Sequence, residues 1–199
     1  DLTATDDLGS INQTYYEVND GPTSTVNVDG HPKIMSEGAN NTLEYWSTDN
    51  AGNEEFPHNI LTQIKLDKTT PTGSISINNN AVYTTSTSVT LSLTASDTVS
   101  GIYQVRYNND GVWDSESWQA FSSTKTWTLD EDEGIKTVYY QIKDQAELIY
   151  TCSDTIILDR TSPSGFITIA EGAYTNSSSV NITPSANDAL SGVTHMRFS

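Results

Sequence analysis

The stretch LDKTTPTGSISINNNAVYTTSTSVTLSLTASDTVSGIYQVRYN at residues 66–108 decides the fold, because it recurs as LDRTSPSGFITIAEGAYTNSSSVNITPSANDALSGVTHMRFS at residues 158–199. The two copies align at an offset of 91 positions over most of their length, as Tyr83 and Tyr174 illustrate. The N-terminal stretch LTATDDLGSINQTYYEV at residues 2–18 aligns with the same pattern. The sequence therefore contains three copies of one module.

The middle copy is the complete one, and its hydrophobic pattern has a period of two in short segments separated by turn residues. Such alternation predicts half-buried β-strands, and no longer window shows a helical stripe. We expect strands at 74–78, 89–95, 103–107, 126–129, 137–143 and 155–158. Strands with this spacing are typical of a two-sheet antiparallel sandwich of the immunoglobulin (Ig) type. The sequence thus predicts an all-β protein made of tandem immunoglobulin-like sandwiches.

The repeat boundaries predict three modules. The first spans residues 1–71 and lacks its first strand, the second spans 72–163, and the third, at 164–199, holds the N-terminal part of a module. Each junction contains a Leu-Asp-(Lys/Arg)-Thr-(Thr/Ser)-Pro segment, and proline favours an extended, stiff linker. Incomplete sandwiches expose strand edges, so subunits could join head to tail by β-strand complementation. The alternative is that the termini cut a longer tandem array at arbitrary points.

The composition excludes several functional classes. The chain has 199 residues, with 9 Lys and Arg against 26 Asp and Glu, and a formal net charge of −17. A surface this acidic repels phosphate backbones, so nucleic acid is not expected as a partner. No apolar run reaches the roughly 18 residues that span a bilayer. We therefore expect an acidic segment without a membrane span.

Several segments resemble the bacterial and archaeal Ig-like surface repeats, whose units contain the patterns LTATD..SG, KTVYYQ.KD.AGN and LD.T.P. The matching segments are 49–53, 97–101, 107–118 and 134–144, and the resemblance extends over essentially the whole chain. The second repeat departs from the pattern at 144–148, which reads DQAEL where the family has AGN. The resemblance implies an extracellular, cell-surface location and a structural role as a stalk, surface-layer or filament component. Other Ig-like repeats or further copies of the chain would be the partners.

The reactive side chains form no recognisable catalytic motif. His31, His58 and His195 are scattered, and none belongs to a pair with metal-ligand spacing. Cys152 is a lone cysteine in an apparent strand, so we expect a buried or half-buried thiol rather than a nucleophile. Nucleophile elbows, P-loops and zinc-protease motifs are absent from the sequence. We therefore predict that the chain is not an enzyme.

A tryptophan pair supports an alternative from a different functional class. Trp113 and Trp118 follow an Asp-Gly turn, and aromatic faces suit stacking against sugar rings. The chain would then be a carbohydrate- or surface-binding accessory module of an adhesin or a secreted hydrolase, with a cell-surface glycan as ligand. The competing interpretation is that both indoles pack over the edge of the sandwich. Trp46 and Trp127 lie in apparent strands and are expected in the core or on a sheet face.

Acidic residues are expected to converge at both junctions, because loops at one pole of an Ig-like module face the preceding linker. At the first junction these are Asp67, Asp97 and Asp144, and at the second they are Asp159, Asp188, Asp130 and Asp132. Glu37 approaches the first junction from the other side. Several carboxylates with few cations to pair them suit a hard, oxygen-binding ion, so we expect Ca²⁺ as a cofactor. The alternative is a solvated acidic surface, in which Asp97 and Asp188 cap only their own turns.

N-glycosylation sequons begin at Asn12, Asn40, Asn176 and Asn181. Such sites are surface positions when a protein is secreted, and they fit an extracellular glycoprotein. Mass measurement on native material tests their occupancy.

Overall fold

The computed structural model describes residues 4–7, 10–26 and 31–198, and the regular elements in these ranges are β-strands, with no helix among them. The strands are β1 (Ile11–Val18), β2 (Ser24–Val26), β3 (Gly38–Asp49), β4 (Asn59–Leu66), β5 (Thr72–Ile77), β6 (Tyr83–Thr84), β7 (Ser88–Ser96), β8 (Ile102–Asn108), β9 (Thr124–Thr128), β10 (Gly134–Asp144), β11 (Ile149–Leu158), β12 (Ser164–Ile169) and β13 (Ile182–Asn187). The predicted all-β class is confirmed. Within these described ranges, no helix is available that could cross a membrane.

The chain divides into two compact units. The first contains the described residues up to Pro71 together with Ser96–Tyr103 and Lys143–Ile149. The second contains Thr72–Ala95, Gln104–Ile142 and the described residues from Tyr150 onward. The turns that follow β7 and β10 therefore belong to the first unit, whereas most residues of β7 and β10 themselves belong to the second.

The first unit is built on a four-stranded antiparallel sheet in the order β2-β1-β3-β4. Leu43 and Trp46 of β3 are buried. The hydroxyl groups of Thr14 and Ser47, which are also buried, form a hydrogen bond of 3.1 Å. This pairing satisfies two polar groups that would otherwise lose their water on burial.

The second unit contains a two-sheet sandwich. One sheet has the order β5-β7-β9 and the other has the order β6-β11-β10-β8. Alternate residues of β7 and β10 are buried between them, namely Val89, Leu91, Leu93, Val138, Tyr140 and Ile142. The Tyr107 ring of β8 lies 5.7 Å from the Trp127 ring of β9, and the Tyr140 hydroxyl donates to the Thr94 carbonyl at 3.4 Å. The predicted immunoglobulin-like sandwich is thus present, with an additional short parallel pair between β6 and β11.

Gly73 shows how closely the two sheets of this sandwich approach each other. A Cβ atom at this position would overlap both the Ile142 side chain and the Thr94 carbonyl oxygen. Gly165, at the corresponding position of the third copy, would place a Cβ atom 2.6 Å from the Ser185 carbonyl oxygen. Both copies therefore use glycine because no side chain fits beside the neighbouring strand.

The third copy contributes the antiparallel pair β12 and β13, whose apolar side chains are exposed. Ile169 and Ile182 are 49% and 45% exposed, whereas Ile77 and Leu91, at the corresponding positions of the second copy, are 0% exposed. The residue types match, so the difference in burial arises from the packing partner. The two described strands of this copy have no opposing sheet over their apolar positions.

Candidate cation site at the Asp67 linker

Asp67 lies in the linker between β4 and β5 and organises the backbone on both of its sides. Its Oδ1 atom accepts the Thr69 amide at 3.0 Å, which closes a local turn. Its Oδ2 atom accepts the Ser100 amide at 3.1 Å. The adjacent Lys68 amide donates to the Glu37 carboxylate at 2.9 Å. The linker backbone is therefore bonded to the turn before β3 and to the loop after β7.

Asp97 directly follows β7 and its side chain organises the loop after that strand. Its Oδ1 atom accepts three amides, from Val99, Ser100 and Gly101, at 3.1, 2.8 and 2.7 Å. Gly101 has a φ of +80°, which a glycine adopts without the strain of a side chain. The predicted capping role of Asp97 is thus seen in the structure, and the loop holds Ser100 against Asp67.

Asp144, at the end of β10, is completely buried. Its Oδ1 atom accepts the Leu148 amide at 2.9 Å, whereas its Oδ2 atom has no hydrogen-bond partner. Burial raises the pKa of this carboxyl, and the charges of Asp67 and Asp97 raise it further, against the lowering effect of the Leu148 and Ala146 amides. A charged oxygen without a donor in a buried position is costly, because water no longer solvates it.

The three predicted ligands of the first junction meet in one place. Asp67, Asp97 and Asp144 each offer one carboxylate oxygen, and these oxygens lie within 4.8 Å of one another. The Ser100 hydroxyl is buried at the same place and makes no hydrogen bond of ordinary geometry. Weak hydrogen bonding from this side chain nevertheless contributes most to lowering the pKa of Asp67, with smaller contributions from the Thr69 amide, the Glu37 side chain and the Ser100 amide. The site is therefore a compact set of oxygen atoms with concentrated negative charge.

The second junction repeats part of this arrangement. Asp159 accepts the amides of Thr161 and Ser191 at 3.1 and 3.0 Å, as Asp67 accepts those of Thr69 and Ser100. Asp188 accepts the Gly192 and Ser191 amides at 2.8 Å each, and the Gly192 amide contributes most to lowering its pKa. Within the described residues, no third carboxylate completes a cluster here.

The acidic run 130–133, which precedes β10, makes a hydrogen bond to the second linker and forms no cluster of three carboxylates among the described residues. Glu133 accepts the Arg160 amide at 2.6 Å, which corresponds to the contact between Glu37 and Lys68. Asp130 is exposed and accepts the Asn109 side chain at 3.1 Å, and Asp132 is also exposed. The structure therefore does not place Asp130 or Asp132 in a set of three converging carboxylates among the described residues.

The tryptophan pair encloses an arginine. The Arg106 guanidinium lies 4.7 Å from the Trp113 ring centroid and 4.4 Å from the Trp118 ring centroid. Its Nε atom donates to the Gln141 side chain at 2.8 Å. A cation over an indole face is attracted by the ring quadrupole, so this arrangement stabilises the edge of the sandwich. One face of each indole is occupied by this contact, which supports the packing interpretation.

The remaining reactive side chains have structural surroundings. The His58 ring stacks on Trp46 at 4.2 Å between ring centroids, and Glu44, followed by Glu54, raises its pKa. The Cys152 thiol is half-buried as expected, and burial raises its pKa, which disfavours the reactive thiolate. His195 contacts the Thr194 hydroxyl at 3.1 Å, and His31 is exposed.

The four sequon asparagines Asn12, Asn40, Asn176 and Asn181 are exposed. The side-chain nitrogen of Asn181, to which a glycan would be attached, donates to the Glu171 carboxylate at 2.9 Å. The exposure of all four positions is compatible with modification.

Two features of the first junction, the position of Ser100 and the effect of Leu148 on Asp144, were not predicted from the sequence. Ser100 is the first, although its recurrence as Ser191 was a signal that could have found it. Leu148 is the second. It occupies the position that holds Asn53 in the first repeat, and its side chain has no donor for Asp144. The departure from AGN in the second repeat was visible in the sequence, but its effect on Asp144 required the structure.

The strand orders define the class of protein, which is all-β with an immunoglobulin-like sandwich. No family model matches the sequence, and no curated protein matches it. Among solved structures, the chain is similar to the fibronectin(III)-like modules of CbhA from Clostridium thermocellum, with 15% identity and a TM-score of 0.40. That match covers 78% of this chain and 82% of the other chain.

Proposed function

We propose that this chain is a non-catalytic structural segment of an extracellular prokaryotic surface protein, as a stalk, surface-layer or filament component. The observation that carries the proposal is the repeated construction of the linkers. At each linker the aspartate side chain accepts the backbone amide of a serine, Ser100 for Asp67 and Ser191 for Asp159. The residue after each aspartate donates its backbone amide to a glutamate, Lys68 to Glu37 and Arg160 to Glu133. A fastened linker suits a segment whose task is to extend or to bear load.

Several further observations support this function. The reactive side chains His58 and Cys152 have structural partners or are half-buried, and the Trp113 and Trp118 rings pack on Arg106. The strongly negative charge keeps such a segment soluble and repels non-specific contacts with polyanions. The exposed sequons are accessible, as an extracellular glycoprotein would require.

We also propose that copies of the chain assemble by β-strand complementation on the sheet formed by β12 and β13. Ile169 and Ile182 are exposed there, although the matching residues of the second copy are in its core. An added sheet from another copy would bury these positions, as Ile77 and Leu91 are buried in the sandwich of the second copy. Exposed strand edges next to apolar side chains favour this mode of association.

Light scattering combined with negative-stain electron microscopy tests the assembly. We expect the mass to rise with concentration and elongated particles to appear. Ile169→Asp should abolish the association, whereas Ile135→Asp, at a 73% exposed position of β10, should leave it unchanged. A monodisperse monomer at high concentration would overturn strand complementation but not the role as a structural segment. Small-angle X-ray scattering tests that role separately, because an extended segment has a larger maximum dimension than a compact particle of the same mass.

A further inference from the structure

Buried side-chain oxygens without hydrogen-bond partners are few in the described part of the chain, and most of them belong to residues of the Asp67 site. Three buried side-chain oxygens in the described chain have none, and they belong to Ser100, Glu116 and Asp144. Two of the three belong to Ser100 and Asp144. Asp144 contributes one carboxylate oxygen to the group that it forms with Asp67 and Asp97, and the Ser100 amide donates to Asp67. An unpartnered buried acceptor destabilises the folded state, and a charged one does so more strongly, because water no longer solvates it. A group that binds oxygen and carries positive charge would remove this destabilisation.

We propose that Asp67, Asp97 and Asp144 bind one calcium ion, with the adjacent Ser100 hydroxyl as a further oxygen ligand. This inference goes beyond the proposed function, because a structural segment does not need a metal. Calcium takes six to eight oxygen ligands at about 2.3–2.6 Å. Two ligands on opposite sides of such an ion are separated by about 4.8 Å, and the three carboxylate oxygens lie within 4.8 Å of one another.

The donor set selects a hard cation. It consists of carboxylate and hydroxyl oxygens from Asp67, Asp97, Asp144 and Ser100, with no imidazole or thiolate among them. Zinc and copper favour nitrogen and sulfur ligands, and magnesium demands a more regular octahedron than calcium. The Asp97 loop and the Asp67 linker are irregular backbone, which suits the flexible coordination of calcium.

The unpartnered oxygen distinguishes this site from an ordinary acidic turn. At Asp49, which corresponds to Asp144 in the first repeat, Oδ1 accepts the amides of Ala51 and Asn53, and Oδ2 accepts the Asn53 side chain at 2.7 Å. Leu148 replaces that asparagine beside Asp144 and leaves Oδ2 free to bind an ion. Calcium binding would then link the Asp67 linker to the turns after β7 and β10 by metal coordination in addition to hydrogen bonds.

Calorimetric titration of the metal-stripped chain with calcium chloride, at physiological ionic strength, tests this proposal. We expect one saturable site and a rise in melting temperature on calcium addition. Asp144→Asn should weaken binding at least about tenfold, which corresponds to about 1.4 kcal/mol. Asp188→Asn is the matched control, because it removes the same charge from the equivalent loop of the second junction, and it should bind calcium as the unmodified chain does.

The outcomes separate the alternatives. Absence of both heat and a melting shift in the unmodified chain would overturn the proposal, and so would equal weakening by Asp144→Asn and Asp188→Asn, which would show diffuse attraction to an acidic surface. Retained cooperative melting of Asp144→Asn shows that lost binding is not lost folding. Magnesium chloride at the same concentration should produce a smaller melting shift. None of these results depends on whether the chain assembles, so failure here and failure of the proposed function are distinguishable.

Discussion

The turn after β3 and the turn after β10 have the same backbone framework but different side-chain chemistry. In each turn the first aspartate accepts the amide four residues later, Asn53 to Asp49 at 2.8 Å and Leu148 to Asp144 at 2.9 Å. Each aspartate amide also donates to the carbonyl of that later residue, at 3.0 and 3.1 Å. The predicted departure of the second repeat from the AGN pattern therefore leaves these turn hydrogen bonds intact.

The difference between the turns lies in the second carboxylate oxygen. In the first turn the Asn53 side chain donates to it, and Asn53 contributes most to lowering the pKa of Asp49. In the second turn no side chain donates to it, and burial raises the pKa of Asp144. One turn uses its carboxylate to stabilise itself, whereas the other keeps an oxygen available beside two further carboxylates.

The largest expected effect comes from replacing the two aspartates in the presence of a chelator. Asp144→Asn should raise the free energy of unfolding by about 1–3 kcal/mol, because it removes a buried, unpartnered charge and adds a donor near Asp67 and Asp97. Asp49→Asn should lower the melting temperature, because it removes a fully bonded carboxylate. Chemical denaturation of both variants measures this contrast. A stability loss in Asp144→Asn under these conditions would mean that the carboxylate is satisfied without metal.

Leu148→Asn should convert the second turn into the chemistry of the first. The new amide would donate to Asp144 Oδ2 and compete with calcium, so we expect binding to weaken by about tenfold, or about 1.4 kcal/mol. Stability without calcium should change little, since the hydrogen bond offsets the lost apolar burial of Leu148. Calorimetric titration measures the affinity, and Leu148→Met serves as the control that keeps the side chain apolar. Unchanged calcium affinity in Leu148→Asn would show that the free oxygen is not a ligand.

The reverse exchange, Asn53→Leu, should produce a smaller effect. It removes the donor to Asp49 Oδ2, so the melting temperature should fall modestly, because Asp49 is only partly shielded from water. It should not create calcium binding, since no group of three carboxylates forms at this turn among the described residues. Thermal melting with and without calcium chloride measures both effects. A calcium response in this variant would show that the turn alone makes a site.

The smallest expected effect is a pH dependence that originates at Asp49. Its pKa is lowered from the ordinary value of 3.8, so its contribution to stability is fully present above that value and is lost as the pH falls through the lower folded-state pKa. Melting temperatures between roughly pH 5 and pH 2 should therefore fall more in the unmodified chain than in Asp49→Asn. Parallel curves for the two proteins would contradict a role for this carboxylate in the stability of the turn.

The sequence alone predicted much of the fold and part of the site. Each strand predicted for the second copy overlaps a strand of the structure, since alternating burial follows directly from the pleat. The recurrence of Asp97 as Asp188 and the linker aspartates Asp67 and Asp159 indicated which residues organise the junctions. Placement of Asp144 beside Asp67 and Asp97 followed from the topology of an immunoglobulin-like module.

Other features depended on contacts between distant segments. Asp130 and Asp132 have the same residue type as Asp144, yet they are exposed, whereas Asp144 is completely buried. Composition and local sequence do not distinguish them, because burial depends on which segments pack over each carboxylate. The Arg106 contact with Trp113 and Trp118 likewise required side-chain positions that periodicity does not specify.

The amino-acid sequence by itself determined the repeat, the all-β class, the strand positions and the residue types at each linker, because these follow from local periodicity and turn chemistry. The tertiary structure decided which carboxylates meet and which oxygen lacks a donor. It also decided that Asp144 is buried whereas Asp130 is exposed. Burial and hydrogen bonding between distant residues are properties of packing, so identical residues acquire different environments according to the segments that surround them.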